Sequence, residues 1–366
     1  MAQRHGPWHR ARPQRATRWL VALLAACTPF VAGAEGRGLF EAGPEATGGN
    51  LPPPLAITLT GPWQVLARDR ATEPEYRPAT LALTDGGVML DAEVRPRGKS
   101  RRKPSNCRFP PLWLRLDKKA IPETPFAGHH RRKLVTHCGP LTRSGDPSKV
   151  WLEMLAYRTL NQLTDHSFRV APLSITYVDS DRPARRHLHA GFLIEHKKEL
   201  ARRLSLTAAK GPRVDRANLD AAHGALVSLF AYMIGNPDFS LARGPAGDDC
   251  CHNAVPLVNA QNRVFSVPYD FDNTGLVNPR YAAPPANLNL RNVRQRSYRG
   301  YCRFNDALPA VSARLLNAQP AIRSLFSQQP ELSVAERKRA LRYLDAFFAE
   351  LARPDAAARL QERCIG

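Results

Sequence analysis

A chain of 366 residues that is 43% hydrophobic can bury a sizeable core, enough for one large or two ordinary domains. That balance excludes a disordered polybasic tail. The formal net charge of +21 points either to an anionic counterpart or to a broadly solvated basic face.

Residues 1–18 carry five arginines and no acid, and 19–26 are a short apolar run. A basic stretch followed by such a run is the pattern of an export signal, too short for a stable anchor, and 1–34 are assigned to it. Two processing sites compete. Ala32, Gly33 and Ala34 form a small-x-small site that would leave Glu35 first, whereas Leu24 to Cys27 reads as a lipobox in which Cys27 would be acylated and tether the protein to a membrane. Residues 35–54, rich in Gly and Pro, are read as a flexible linker. Without Cys27 six cysteines remain, at 107, 138, 250, 251, 302 and 364. An even number suits disulfides in a periplasmic or extracellular protein, and fifteen pairings stay open.

From residue 55 the pattern is strand-like. Residues 57–66 alternate weakly, and 79–84 and 88–94 flank an Asp85-Gly86-Gly87 turn in a hairpin pattern. Residues 110–116 and 133–136 are further short strands. The period then changes: Asp146 and Pro147 supply an N-cap and an N1 proline for a helix to about Leu163, with Glu153 at the edge of its apolar face. Strands at 173–178 and 189–195 follow, then an apolar helix over 219–234. Short strands at 254–258 and 264–268 come next, and Ser333 to Glu336 form a capping box opening a helix to about Leu351. The fold predicted is α+β, with a β-rich N-terminal lobe and one internal helix over 55–200, and a mostly helical C-terminal lobe with a metal or catalytic loop over 201–366.

Two basic runs stand out, 95–103 and 291–303, the second interleaving Arg291, Arg294, Arg296, Arg299 and Arg303 with Tyr298 and Tyr301. Such interleaving suits phosphate or nucleic acid. An exported protein has little call for a dedicated nucleic-acid target, so none is expected, and no transmembrane span remains once the signal is removed.

The chemistry concentrates in 236–275, which presents Asp238, Asn253, Asp270 and Asp272 in that order. Phosphoryl transfer needs a carboxylate to orient the attacking hydroxyl and take its proton, an amide-plus-carboxylate metal site, and a cation for the phosphates. Each residue also has a plain reading. Asn236-Pro237-Asp238 is a good turn anywhere, Asn253 could be a strand-edge amide, and Asp270 and Asp272 could belong to a polar turn. Alternation about Phe271 would send the last two carboxylates to one side, apt for Mg²⁺.

Lys133, the helix around Glu153, the strand ending at Glu195, and the motifs at 235–238, 252–253 and 268–272 together resemble the spore-coat protein H (CotH) kinase family over roughly residues 80–280. The resemblance implies a bilobal protein-kinase-like fold. It also implies an ATP- and Mg²⁺-dependent kinase, with Mn²⁺ as a substitute metal, that phosphorylates Ser or Thr hydroxyls of a protein or envelope substrate. In that reading Asp238 is the base, Asn253 and Asp270 are metal ligands assisted by Asp272, Lys133 holds phosphates and is held by Glu153, and Glu195 lies at a nucleotide-contacting hinge. Arg97, Gly98 and Lys99 would cover the phosphates; Arg115, Lys118 and Arg132 are rival cations to Lys133. The insert between Asp238 and Asn253 is longer than the protein-kinase gap, which keeps open a catalytically inactive pseudokinase serving as an envelope binding module for a partner protein or anionic polymer. A metal-dependent hydrolase using His252, Asp270 and Asp272 is a third reading.

Overall fold

Strand β1 (Leu55–Gly61) buries alternate residues and pairs on both edges, antiparallel to β2 (Arg77–Leu83) and parallel to β6 (Val170–Asp179). With β3 (Met89–Pro96), β4 (Leu112–Leu116), β5 (Arg131–Thr136) and β7 (Arg182–Ile194), these strands close a seven-stranded barrel of order β1-β2-β3-β4-β5-β7-β6. The computed structural model describes residues 39–40, 53–83, 87–143 and 145–366. The export signal, both processing sites, most of the expected linker, and Asp85 and Gly86 of the predicted turn lie outside them.

The barrel interior is filled by inward residues such as Ile57, Leu59, Leu81, Val94, Leu114, Leu134, Ile175 and Leu193. Short helix α1 (Trp63–Arg68), which replaces the second half of the predicted 57–66 strand, adds Trp63 to this core. The Trp63 indole donates to the Val178 carbonyl at 2.7 Å. Phe40, inside the expected linker, is also buried against the barrel, under the Arg132 guanidinium.

A second and larger core holds the rest. It is built on α2 (Ser148–Leu163), whose residues are all buried except Lys149 and Gln162. Around α2 come α3 (Lys197–Arg203), α4 (Ala221–Ile234), α5 (Leu308–Ser327), α6 (Val334–Leu351) and α7 (Ala356–Gln361). A three-stranded sheet, β10-β9-β8, of β8 (Thr207–Ala208), β9 (Ala254–Val258) and β10 (Val264–Pro268), packs among them. Gly224 of α4 is where the Phe304 ring sits closest; a Cβ there would lie 2.3 Å from the ring.

The predicted bilobal kinase-like fold is therefore corrected. The N-terminal strands form a closed barrel and the C-terminal part is mixed α/β, not mostly helical. The helix expected inside the N-terminal lobe belongs to the other core, where it is buried nearly all round, its polar Ser148, Glu153, Arg158, Thr159 and Asn161 included. The six cysteines pair as Cys107–Cys138, Cys250–Cys251 and Cys302–Cys364.

Candidate active site

Helix α4 ends at Gly235 in the left-handed conformation, and the chain turns through Asn236, Pro237 and Asp238. The Asn236 side chain accepts the Asp238 amide at 3.0 Å, fixing the turn that presents the Asp238 carboxylate. The turn reading and the functional reading of this tripeptide are thus compatible. His252 Nε2 lies 2.6 Å from Asp238 Oδ1, and Asn253 Nδ2 donates to the Asp238 carbonyl at 2.8 Å. Asn253 has φ of 51°, and its amide oxygen is left as the atom available to a cation.

The antiparallel pairing of β9 and β10 then sets Asn253 beside the end of β10, where its carbonyl accepts the Tyr269 amide at 2.9 Å. Asp270 comes next, with φ of 66° and its amide donating to the Tyr157 hydroxyl of α2 at 2.8 Å. Phe271 is fully buried in the core against Tyr157 and Phe230, while Asp270 and Asp272 on either side line one cavity. Asp272 accepts from the Tyr281 hydroxyl at 2.7 Å and from the Asn273 amide at 2.9 Å.

That cavity measures about 360 Å³ and is lined by Asp238, Asp270, Asp272 and Glu153, facing the loop of Arg97, Gly98 and Lys99. Gly98 has φ of +82°, a conformation that lets the loop turn back over the site and strains any side chain. Glu153 is raised well above the ordinary carboxylate range by burial and by Asp272. Asp272 is raised by burial and by Asp270. Burial alone would lower Arg101, but Tyr281, Glu153, Asp272 and Asp270 around it hold its guanidinium firmly protonated. Burial would raise Asp238 too, yet the hydrogen bond and charge of His252 bring it below its ordinary value, and the same bond raises His252.

Lys133 and Glu153 do not form the expected pair. Arg101, in a 3₁₀ turn (Ser100–Arg102), holds Glu153 at 3.6 Å and donates to the Thr136 carbonyl. Lys133 and Val135 share a face of β5 but stand two residues, roughly 7 Å, apart along it: Val135 lines the carboxylate cavity, whereas Lys133 lines a separate one of about 340 Å³. There the Lys133 ammonium lies 4.2 Å from the Tyr269 ring centre, has no carboxylate partner among the described residues, and is lowered to about 7 by burial and by Arg97. Glu195 lines the same cavity, but its carboxylate is taken by Arg203 at 2.9 and 3.0 Å and by the Arg169 amide at 3.1 Å. The Cys250–Cys251 disulfide forms another part of this wall, directly before His252. Two rival cations are engaged elsewhere, Arg115 with Glu93 and Arg132 with Glu199.

The arginines of 291–303 are largely structural. Arg294 donates to the Gly275 carbonyl, Arg296 to those of Met233 and Tyr343, Arg299 to Pro237, and Arg303 to Leu219 and Ala217. Arg299 thereby braces the Asp238 turn. No protein-family model matches this chain, and no curated protein is similar enough to it to count as a match.

Among the described residues no group of three or more His, Cys, Asp or Glu side chains is arranged to hold a metal ion. Asn253, bound through its Nδ2 to Asp238, is not among the residues lining the carboxylate cavity, whereas Asp270 and Asp272 are, and two such carboxylates suit a hard divalent cation whose charge would relieve the repulsion that raises Asp272. Residues that motif reading missed are Arg101, Tyr281 and Tyr157. Arg101 had a faint signal as part of the 95–103 basic run; the two tyrosines had none.

Proposed function

We propose that this chain is an exported, CotH-like phosphotransferase that moves the γ-phosphate of ATP to Ser or Thr hydroxyls of a protein or envelope substrate. The observation that supports it is the convergence of Asp238, Asp270 and Asp272 on one cavity beneath a glycine-containing basic loop. The reading does not depend on a bilobal lobe arrangement, because phosphoryl transfer demands positioned charges, not a particular sheet. Asp238, kept ionised by His252, would orient the acceptor hydroxyl and take its proton as bond formation to phosphorus makes it acidic. A Mg²⁺ or Mn²⁺ ion held by Asp270 and Asp272 would supply positive charge against the phosphates. Arg97 and Lys99 would bind and cover the outer phosphates, and Arg101, 3.6 Å from Glu153, would offset negative charge on that wall of the cavity. No helix among the described residues is long and apolar enough to cross a membrane; a lipid anchor at Cys27 is part of this proposal as the alternative to plain cleavage.

A second reading is favoured by one specific finding, the separation of Lys133 from Glu153. A pseudokinase that keeps the cavity to bind a partner protein or anionic polymer has no need of that pair. Radiolabel transfer from ATP with Mg²⁺, wild type against Asp270→Ala, separates the two. Label on an acceptor from the wild type alone supports the enzyme. Absence of label from both, with no nucleotide-dependent rise in melting temperature, sinks it.

A further inference from the structure

On the other side of the Arg101–Glu153 pair lies a cleft of about 650 Å³, sharing Arg101, Asn106, Glu153, Asp272 and Tyr281 with the carboxylate cavity and no lining residue with the Lys133 cavity. Four cations converge on it: Arg101, Arg108, Lys149 and Arg280. Arg108 and Arg280 are exposed, and among the described residues their guanidinium groups meet no carboxylate and no carbonyl. This contrasts with the committed arginines of 291–303. Lys149, at the first turn of α2, shares its single carboxylate partner, Glu336, with Arg339. Burial, then Arg339, lowers Lys149 to about 8, as expected where positive charge exceeds negative in a concave site. Of the acids on the cleft, Asp146 is bound to the Ser148 amide at 2.9 Å, Glu153 faces Arg101 at 3.6 Å, and Asp272 accepts from the Tyr281 hydroxyl at 2.7 Å. Pro104, Val150 and Val277 supply apolar wall between the charges.

We propose that this cleft is the acceptor site and that it selects a polypeptide bearing acidic side chains next to the hydroxyl to be modified, with Arg108 and Arg280 as the specificity-determining residues. The identity of the ligand as an acceptor rests on the phosphotransferase reading; its anionic character rests on the cleft alone. A bound acidic segment would lie against the wall shared with Asp272 and Glu153, which brings a neighbouring hydroxyl toward the carboxylate cavity.

The test is fluorescence anisotropy of two labelled serine peptides on the full chain, one flanked by glutamates and one by glutamines, without nucleotide. The wild type is expected to prefer the glutamate peptide by about tenfold at low salt, and Arg108→Gln with Arg280→Gln to abolish the preference. Both arginines are exposed, so the double variant should melt with the wild type, and its response to ATP should be unchanged. Equal binding of the two peptides by the wild type, or a preference that survives in the double variant, overturns the proposal. An arginine-dependent preference in a protein that transfers no phosphate would leave the anion-binding cleft standing and reject the phosphotransferase reading alone.

Discussion

Lys133→Met isolates the cost of holding an amine among rings with no counter-charge. The ammonium falls from 10.5 to about 7 on folding, and at 1.36 kcal/mol per pKa unit this is a penalty of about 5 kcal/mol on the charged form. Attraction to the Tyr269 ring at 4.2 Å offsets about 1 to 2 kcal/mol. The side chain is only half-buried by surface area, although its ammonium is densely surrounded, so solvent screening reduces the remainder to about 2 kcal/mol. The sign follows from linkage. Because the folded value is depressed, the penalty is fully present below pH 7, shrinks as pH rises from 7 toward 10.5, and is gone above that. Methionine keeps the length and apolar character of the side chain without the charge. In urea titrations the variant should therefore be more stable than wild type by about 2 kcal/mol at pH 6, and the gain should vanish near pH 10. If Lys133→Met is destabilised at pH 6, or if its gain is the same at both pH values, the description of this lysine as an unpaired buried cation is wrong. The nucleotide response of the same variant adds a second reading: a gain in stability with a loss of the ATP-induced shift marks a residue kept for binding at the expense of the fold.

Three further outcomes are expected. Arg101→Met should cost about 3 kcal/mol by leaving Glu153 buried without its cation, and adding Glu153→Gln should recover more than half in equilibrium unfolding; no recovery would mean that the pair is not the source of the loss. His252→Ala should be most destabilising between about pH 4 and 6.5. The contribution of His252, whose pKa is raised, is full below its ordinary 6.5 and fades as pH rises through the folded value; that of Asp238, whose pKa is lowered, is full above its ordinary 3.8 and fades as pH falls through the folded value. With 39% and 30% of these two side chains exposed, the effect should be about 1 kcal/mol or less in denaturation across pH, and a constant loss from pH 4 to 9 would contradict it. Replacing both Cys302 and Cys364 by Ser opens a crosslink of separation 62 and should cost about 4 kcal/mol on loop-entropy grounds, read as a lower urea midpoint.

The sequence was most legible where a local period decides the outcome. Alternation at 57, 59 and at 173, 175, 177 marks strands because one face of each is buried. Closure of the barrel left no such trace. The pair that closes it joins Leu55 to Leu173 in parallel, with no turn between them, so nothing local records that two sheet edges meet. Helix α5 escaped notice because Pro320 interrupts an otherwise helical window. Within the site, the Asp270-Phe271-Asp272 alternation was readable because Phe271 has to enter the core, and that forces its neighbours outward. The same rule does not separate Lys133 from Glu153, because Lys133 and Val135 share a face of β5; what separates them is an offset of two residues along the strand, and no local pattern records which of the two lies over the carboxylates.

Charge is the property whose presence a sequence displays and whose commitment it conceals. Arg296, Arg299 and Arg303 look like a nucleic-acid surface in the sequence, yet each is bonded to a main-chain carbonyl. Carbonyls carry no sequence signal, so no inspection of residue types separates these arginines from Arg108 and Arg280, which have none. The distinction decides where an anion can bind. A guanidinium already bonded to a carbonyl must lose that bond, at a cost of about 1 to 3 kcal/mol, before it can bind a ligand, whereas an uncommitted one gives up only water. Affinity for an anionic partner should therefore follow the placement of the few free cations around the Arg101–Glu153 wall, and be nearly insensitive to the much larger number that produce the net charge.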